Sequence, residues 1–187
     1  MYEVEVKVPA DLEAVRDRLA ALGATPLGAV VQVDTYYDAP HREFAETDEA
    51  LRIRSERPED APDETRVTYK GPLVDDESKT REEFETSVAD RETMDGILTN
   101  LGFEPAATVR KERERFSLEG YTVTLDSVDG VGEYVEVEID VEVEIDVEGE
   151  SELEAARNGA YDVLERLHLD PDDQLRTSYL GLLLESE

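Results

Sequence analysis

The sequence predicts an α+β fold in which about eight mostly antiparallel strands curl into a barrel or a strongly curved sheet, with three helices packed outside. Three observations carry this. Short segments alternate apolar and charged residues with a period of two, the mark of strands with two different faces. Turn residues separate these segments at regular intervals. Three longer segments instead space leucine and valine at helical intervals. Closing the sheet would also remove the edges that such strands otherwise expose.

The first strand sets Glu3, Glu5 and Lys7 against Val4, Val6 and Val8, and Pro9 ends it. Asp11 can cap a helix with Leu12, Val15, Leu19 and Leu22 on one stripe, closed by Gly23. A strand then runs through Val30, Val31 and Val33 into Asp34-Thr35-Tyr36-Tyr37-Asp38, and residues 39 to 49 read as a polar loop. Ala50 to Arg54 is a strand with Leu51 and Ile53 opposite Arg52 and Arg54. After a loop holding Pro58 and Pro62, Arg66 to Lys70 alternates again, and Gly71-Pro72 turns the chain.

The second half repeats the plan. Arg81, Glu83 and Glu85 share a strand face, and Asp90 can cap a helix carrying Met94, Ile97, Leu98 and Leu101, closed by Gly102. Lys111, Arg113 and Arg115 share the next face, and Tyr121 to Asp126 forms another strand. Asp129-Gly130 turns into a long alternating segment from Glu133 to Asp146, in which VEVEID occurs twice in succession and predicts an extended strand end. Glu3-Val-Glu5 leading to Asp11, and Glu83-Phe-Glu85 leading to Asp90, with Leu-Gly and then proline after each helix, predict an internal duplication. A last helix near 152 to 168 buries Leu153, Val163, Leu164 and Leu167, with His168 at its C-terminal end, where a cation is favoured. Tyr179, Leu180 and Leu182 to Leu184 are expected to pack on the barrel.

Composition narrows the function. The 187 residues fit one domain, with 36% charged and 39% apolar residues. Forty-nine acids against nineteen bases give a formal net charge of -30, which argues against nucleic acid or an anionic membrane as partner. Only four of the bases are lysines, and this acid-rich, lysine-poor balance predicts a protein solvated in high salt. There is no cysteine, so disulfides and thiolate metal sites are excluded. No apolar run approaches about 20 residues, and the chain opens directly into a strand pattern, which predicts a cytoplasmic protein.

The charged strand faces are the chemical signal. An amphipathic sheet with its charged face in water is the plain reading. Yet Lys7, Arg52, Arg54, Lys70, Arg81, Lys111, Arg113 and Arg115 hold eight of the nineteen bases, and three of the four lysines, on these faces. Acids share them: Glu3, Glu5, Glu83, Glu85, Asp126, Glu136 and Glu138. Burying both signs is costly unless they pair or bind ions. A pocket for a metal-bound polyphosphate uses both, because hard divalent cations take carboxylate and phosphate oxygens while arginine and lysine take phosphate. Amphipathic helices can then cover the outward apolar faces, inverting the usual small barrel.

Glu3-Val-Glu5-Val-Lys7 resembles the ExExK signature of the CYTH, or triphosphate tunnel, superfamily. Further segments follow in that family's order: Asp34-Thr35-Tyr36-Tyr37-Asp38, Leu51-Arg52-Ile53-Arg54, Tyr69-Lys70-Gly71-Pro72, Arg81-Glu82-Glu83, Lys111-Glu112-Arg113, Leu125-Asp126 and Gly132 to Glu138. The resemblance spans almost the whole chain and implies one domain over residues 1–187, built as a closed eight-stranded antiparallel barrel. It implies Mg²⁺ or Mn²⁺ on Glu3, Glu5, Asp126, Glu136 and Glu138. It implies a linear triphosphate, ATP or polyphosphate, gripped by Lys7, Arg52, Arg54, Lys70, Arg81, Lys111 and Arg113. The opening strand and residues 125 to 139 look most like the class IV adenylate cyclase branch. The His-Phe pair often found before that strand in this branch has no counterpart ahead of Met1-Tyr2. Inorganic tripolyphosphatase and thiamine triphosphatase are the alternatives, with Lys7 and Tyr36 orienting or deprotonating the nucleophile. A noncatalytic polyphosphate or nucleotide sensor is a third. The family resemblance also leans toward a homodimer.

Overall fold

In the computed structural model, which describes residues 1–144 and 146–186, eight strands close into an antiparallel barrel. They are β1 (Tyr2–Pro9), β2 (Thr25–Asp38), β3 (Ala50–Pro58), β4 (Glu64–Leu73), β5 (Lys79–Ser87), β6 (Glu104–Leu118), β7 (Tyr121–Val128) and β8 (Gly132–Val141). Around the barrel the order is β1-β5-β4-β3-β2-β6-β7-β8, and β8 pairs back onto β1. Exchanging the first four strands for the last four maps this order onto itself, with β1–β5 and β2–β6 as the two seams. The duplication expected from the sequence is thus present at the level of topology.

Two ten-residue helices occupy matching positions, α1 (Leu12–Ala21) and α3 (Arg91–Asn100). Asp11 accepts hydrogen bonds from the backbone N–H groups of Glu13 and Ala14, and Asp90 from that of Thr93, as N-caps should. Gly23 and Gly102 follow at φ of 73° and 97°, the left-handed region that lets a helix end sharply.

Because the inward strand faces are charged, the apolar core lies outside the barrel. Val6, Val8, Val123, Leu125, Val135 and Val137 of β1, β7 and β8 meet Leu12, Val15 and Leu19 of α1 and Leu153, Ala160, Val163 and Leu164 of α4 (Val147–Arg166). A second cluster packs Tyr37 and Ile53 under Leu98 of α3. A third is built on Tyr36, Val109, Val128 and Tyr179, with Leu180, Leu182 and Leu183 packed against it.

Three local expectations are corrected. Residues 39 to 49 are not wholly loop, since they contain the one-turn helix α2 (Phe44–Thr47). β8 ends at Val141, and Asp146 accepts a hydrogen bond from the Gly149 N–H as N-cap of α4, so the second VEVEID does not continue the strand and the last long helix starts earlier than 152. Ile145 within that repeat, and Glu187, lie outside the described residues. The tail forms a 3₁₀ turn (Pro171–Asp173) and a further helix, α5 (Tyr179–Glu185), so five α-helices rather than three surround the barrel among the described residues. The stretch before α5 is tied to the barrel, with the Leu175 N–H donating to the Lys7 carbonyl at 2.8 Å.

The contact between α4 and β7 depends on a glycine. The Tyr121 hydroxyl donates to the Ala156 carbonyl at 2.8 Å, and a Cβ on Gly159 would lie 2.0 Å from that hydroxyl and 2.9 Å from the ring. Gly159→Ala in a helix interior ordinarily stabilises by about 1 kcal/mol. Here overpacking reverses the sign, and a loss of about 1–3 kcal/mol is expected in denaturant unfolding. An unchanged or raised unfolding midpoint would contradict this packing.

Candidate active site

The barrel encloses a cavity of about 310 Å³ lined by side chains from every strand. Ten of the chain's nineteen bases face it, with eight of its forty-nine acids, so its wall is net basic inside a chain of net charge -30. All four lysines, Lys7, Lys70, Lys79 and Lys111, line it. The two signs are unevenly distributed, although Lys7, Lys79 and Arg81 lie among the acids and Glu56 among the bases. Neighbouring strands β8, β1 and β5 contribute Glu136 and Glu138, Glu3 and Glu5, and Glu83 and Glu85. Across the cavity, β3 and β6 contribute Arg52 and Arg54, and Lys111, Arg113 and Arg115.

The basic wall is held by fixed ion pairs. Arg54 donates from Nε and Nη2 to the two oxygens of Asp34, at 2.7 Å each, and Arg52 lies 3.7 Å from the same carboxylate. Burial opposes charge on Asp34, but Arg54 and Arg52 hold its carboxyl well below the usual range. Arg113 spans Asp126 in the same two-pronged way, at 2.6 and 2.5 Å, and adds a 2.6 Å bond to Glu136. Such forks fix a guanidinium more firmly than a single bond does. Burial likewise opposes charge on Glu136, while Arg113 and Lys7 lower its carboxyl.

Lys111 is placed differently. It lies 4.8 Å above the Tyr179 ring, and burial together with Arg113 and Arg54 pushes its ammonium down to about 7. Lys7 donates to the Thr177 carbonyl at 3.0 Å, lies 4.2 Å from the centroid of the same Tyr179 ring, and sits 3.7 Å from Glu5 and 3.8 Å from Glu136. Lys70 donates to Glu3 and lies 3.1 Å from Glu83. Although burial works against its charge, Glu3 and Glu83 hold that ammonium above its ordinary range. Arg81 donates to the Asp48 carbonyl at 2.7 Å at one mouth of the cavity, and Tyr36 lines the same end.

The five acids expected to bind metal divide. Glu3, Glu5 and Glu138 place one oxygen each within 4.8 Å of one another. Glu5 and Glu138 are direct cross-strand partners, a pairing of like charges that destabilises a sheet unless something compensates. Burial and the neighbouring Glu3 push the Glu138 carboxyl up to about 8. A purely carboxylate set under like-charge strain fits a hard divalent cation, which prefers oxygen ligands. Asp126 departs from the expected role. It is fully buried, with its oxygens taken by Arg113 and by the Tyr179 hydroxyl at 2.8 Å, and it does not line the cavity. Glu136 lines the cavity, but as the partner of Arg113 and Lys7.

Lys79, Arg66 and Tyr179 are among the cavity residues absent from the sequence-based set. Lys79 continues the alternation of Arg81 just before the predicted strand face begins, whereas Arg66 opens the predicted strand Arg66 to Lys70 and was passed over. Burial and the nearby Arg81 push the Lys79 ammonium down to about 8. Tyr179 was expected to pack on the barrel but not to enter the cavity, because that place depends on how α5 folds back. Burial and the carboxylates of Glu136 and Asp126 raise its hydroxyl well above the ordinary range, so it stays a donor to Asp126.

Comparison with known proteins places this geometry. The CYTH domain family model matches residues 1–179. A Methanocaldococcus jannaschii protein described as a "putative adenylate cyclase" is 37% identical over 183 residues, covering 97% of this chain and 98% of its own. Adenylate cyclase CyaB of Aeromonas hydrophila is 28% identical over 140 residues, 74% of this chain and 69% of that protein. A solved structure from Pyrococcus horikoshii superposes with a TM-score of 0.89 at 35% identity, covering 99% of each chain.

The cluster of Glu3, Glu5 and Glu138 generates a test that needs no turnover. Titrating Mn²⁺ in molar KCl, with free ion followed by electron paramagnetic resonance, should show one tight site, and Glu138→Gln should weaken it at least about tenfold. Equal affinity in the two proteins would remove Glu138 from the metal site.

Proposed function

The chain belongs to the CYTH domain family, and from that premise we propose that it is a metal-dependent enzyme acting on a triphosphate held in the barrel, with ATP converted to cyclic AMP and pyrophosphate as the first reading. The observation that carries the enzyme reading is the polarised cavity, with convergent carboxylates facing clamped guanidiniums. Anion binding alone has no use for the carboxylate cluster, which weighs against a noncatalytic sensor. The two relatives described as adenylate cyclases favour the cyclase over a hydrolase.

When bound by Glu3, Glu5 and Glu138, Mg²⁺ or Mn²⁺ supplies positive charge to phosphate oxygens and acidifies a nearby hydroxyl. The protein's own residues do the rest. Arg52, Arg54, Arg113 and Lys111 take the phosphate chain along the basic wall, with Asp34 and Asp126 behind them fixing the forks. Lys70 and Arg81 hold it from β4 and β5. The ribose 3′-oxygen bonds to the α-phosphorus as the bond from that phosphorus to the α–β bridging oxygen breaks, the hydroxyl proton passes to water, and pyrophosphate leaves with its charge neutralised by this wall. Catalysis of this kind is positioning and charge stabilisation.

Hydrolysis of a terminal phosphate is the second reading, and one observation favours it. The tunnel wall is charged along its length, so it offers a nucleobase little apolar surface. In this reading Lys7, fixed beside Glu5 and Glu136, positions the attacking water. Expected solvent conditions are the same for both, molar salt, in keeping with the acid-rich composition.

Incubation with Mg²⁺ or Mn²⁺ and either ATP or tripolyphosphate in molar KCl separates the readings. Cyclic AMP with pyrophosphate is expected, and orthophosphate without a cyclic nucleotide would overturn the cyclase in favour of the hydrolase. Lys111 gives a second prediction. Its amine, depressed to about 7 against an ordinary value of about 10.4, loses its proton in the free protein as pH rises above about 7. A bound polyanion requires the ammonium form, so binding takes up a proton and affinity falls with pH, by up to about tenfold per unit for one proton. Lys111→Arg keeps its charge and should lower the measured uptake by about one proton, read by calorimetry in buffers of different ionisation enthalpy. Unchanged uptake would exclude Lys111 as the linked group.

A further inference from the structure

No lysine of this chain lies on its outer surface. All four are buried and line the cavity, but their amines are not equally tied. Lys7 lies 3.7 Å from Glu5 and 3.8 Å from Glu136, and it donates to the Thr177 carbonyl. Lys70 donates to Glu3 and lies 3.1 Å from Glu83, and Lys79 lies 3.8 Å from Asp48. Lys111 is the exception. Among the described residues it has no carboxylate at salt-bridge distance and donates no hydrogen bond, and the Tyr179 ring lies 4.8 Å from its nitrogen. Its charged surroundings are Arg113, Arg54, Asp126 and Asp34. Both of those carboxylates are engaged in two-pronged bonds, Asp34 to Arg54 and Asp126 to Arg113. The two guanidiniums are therefore fixed, and the amine between these pairs is not. Burial and the guanidiniums bring it to about 7, so near neutral pH much of it carries a free lone pair. A desolvated lysine beside other cations is a recognised form of activated nucleophile.

We propose that Lys111 is an acylation site, modified from within the cavity by small acyl phosphates whose phosphoryl group docks on Arg54 and Arg113, and that this modification switches the site off. The proposal rests on the reading above in which this wall takes phosphate. The Lys111 nitrogen bonds to the acyl carbon, the bond from that carbon to the bridging oxygen breaks, and its electron pair leaves on inorganic phosphate. The surplus amine proton passes to water. No further reactant is needed, because the acyl phosphate is itself the activated group. The fixed guanidiniums neutralise the charge that develops on the departing phosphate. A triphosphate draws this amine into its ammonium form, whereas an acyl phosphate sets its charge on the two guanidiniums and presents a neutral acyl end to the nitrogen. The cavity, of about 310 Å³, favours small acyl groups. The amide product has lost the positive charge of the lysine, so the basic wall is weakened where it faces the phosphate chain.

The test treats the intact protein, in molar KCl without divalent metal, with acetyl phosphate or with acetic anhydride, which delivers the same acyl group without a phosphate. Peptide mass mapping reads the acetylation rate at each of the four lysines. Lys111 should react first with acetyl phosphate, and inorganic tripolyphosphate should suppress that reaction. The ratio of the Lys111 rate to the Lys79 rate should be about tenfold higher with acetyl phosphate than with the anhydride, the scale of one charge-assisted hydrogen bond. Calorimetry should then show tripolyphosphate bound about tenfold more weakly after acetylation than before. Lys111→Arg, treated in the same way, should keep the affinity it had before treatment. Equal rate ratios for the two reagents, Lys79 modified ahead of Lys111 by acetyl phosphate, or an affinity unchanged by acetylation would each overturn the proposal, and with tripolyphosphate still bound by the untreated protein the tunnel reading would stand. Failure of the untreated protein to bind tripolyphosphate would overturn the tunnel reading and the acylation site with it.

Discussion

Charge burial inside a closed barrel is the constraint on which the rest of this structure depends. Eighteen ionisable acid and base side chains face one cavity of about 310 Å³. Removing a charge from water costs several kcal/mol unless it is matched. Most of these groups are matched. Asp34 holds Arg54, Asp126 holds Arg113, and Glu3 accepts from Lys70. The exceptions are the informative part. Glu138 sits among like charges, and Lys111 sits among cations, so one end of each gradient is left uncompensated. A cation for the first and a polyanion for the second relieve both at once, and a metal-bound triphosphate is a single ligand that brings the two together.

The outward architecture follows from the inward one. With charge inside, the valines of β1, β7 and β8 face out and need cover, which α1 and α4 provide. α3 serves Tyr37 and Ile53 in the same way. The twofold pattern of strands builds two similar half-barrels, yet the charges do not follow that symmetry. β1 carries Glu3, Glu5 and Lys7, whereas its counterpart β5 carries Lys79, Arg81, Glu83 and Glu85. β6 is wholly basic on its inner face at Lys111, Arg113 and Arg115, whereas β2 contributes the buried Asp34 that anchors its neighbour β3. A duplicated frame therefore supports an asymmetric ligand. The C-terminal segment completes the asymmetry, since α5 places Tyr179 beneath both Lys7 and Lys111.

Much of this was legible in the sequence, for a physical reason. Period-two alternation determines which face a residue takes, so Glu3, Arg52, Lys70 and Arg113 could be placed inside once closure was assumed. Asp-capped helices ending in Leu-Gly located α1 and α3. Alternation could not show where a strand stops. That is why the repeated VEVEID was read as one long strand, although Asp146 serves as a helix cap, and why Lys79 was missed. Nor could it show which acids converge. Asp126 and Glu138 lie on the same kind of face, but only their neighbours on adjacent strands make one an anchor for Arg113 and the other a member of a carboxylate cluster. α5 was least legible, because its position depends on contacts distant in sequence, such as Tyr179 with Asp126.

If the uncompensated acids and bases of this cavity divide a single ligand between them, metal and phosphate must be found together in the barrel. Anomalous diffraction at the manganese edge, from crystals grown with Mn²⁺ and tripolyphosphate, tests it directly. Manganese is expected on Glu3, Glu5 and Glu138, with phosphate oxygens shared between that ion and the wall of Arg54, Lys111 and Arg113. Manganese found only on the acidic outer surface, with no phosphate in the barrel, would contradict it.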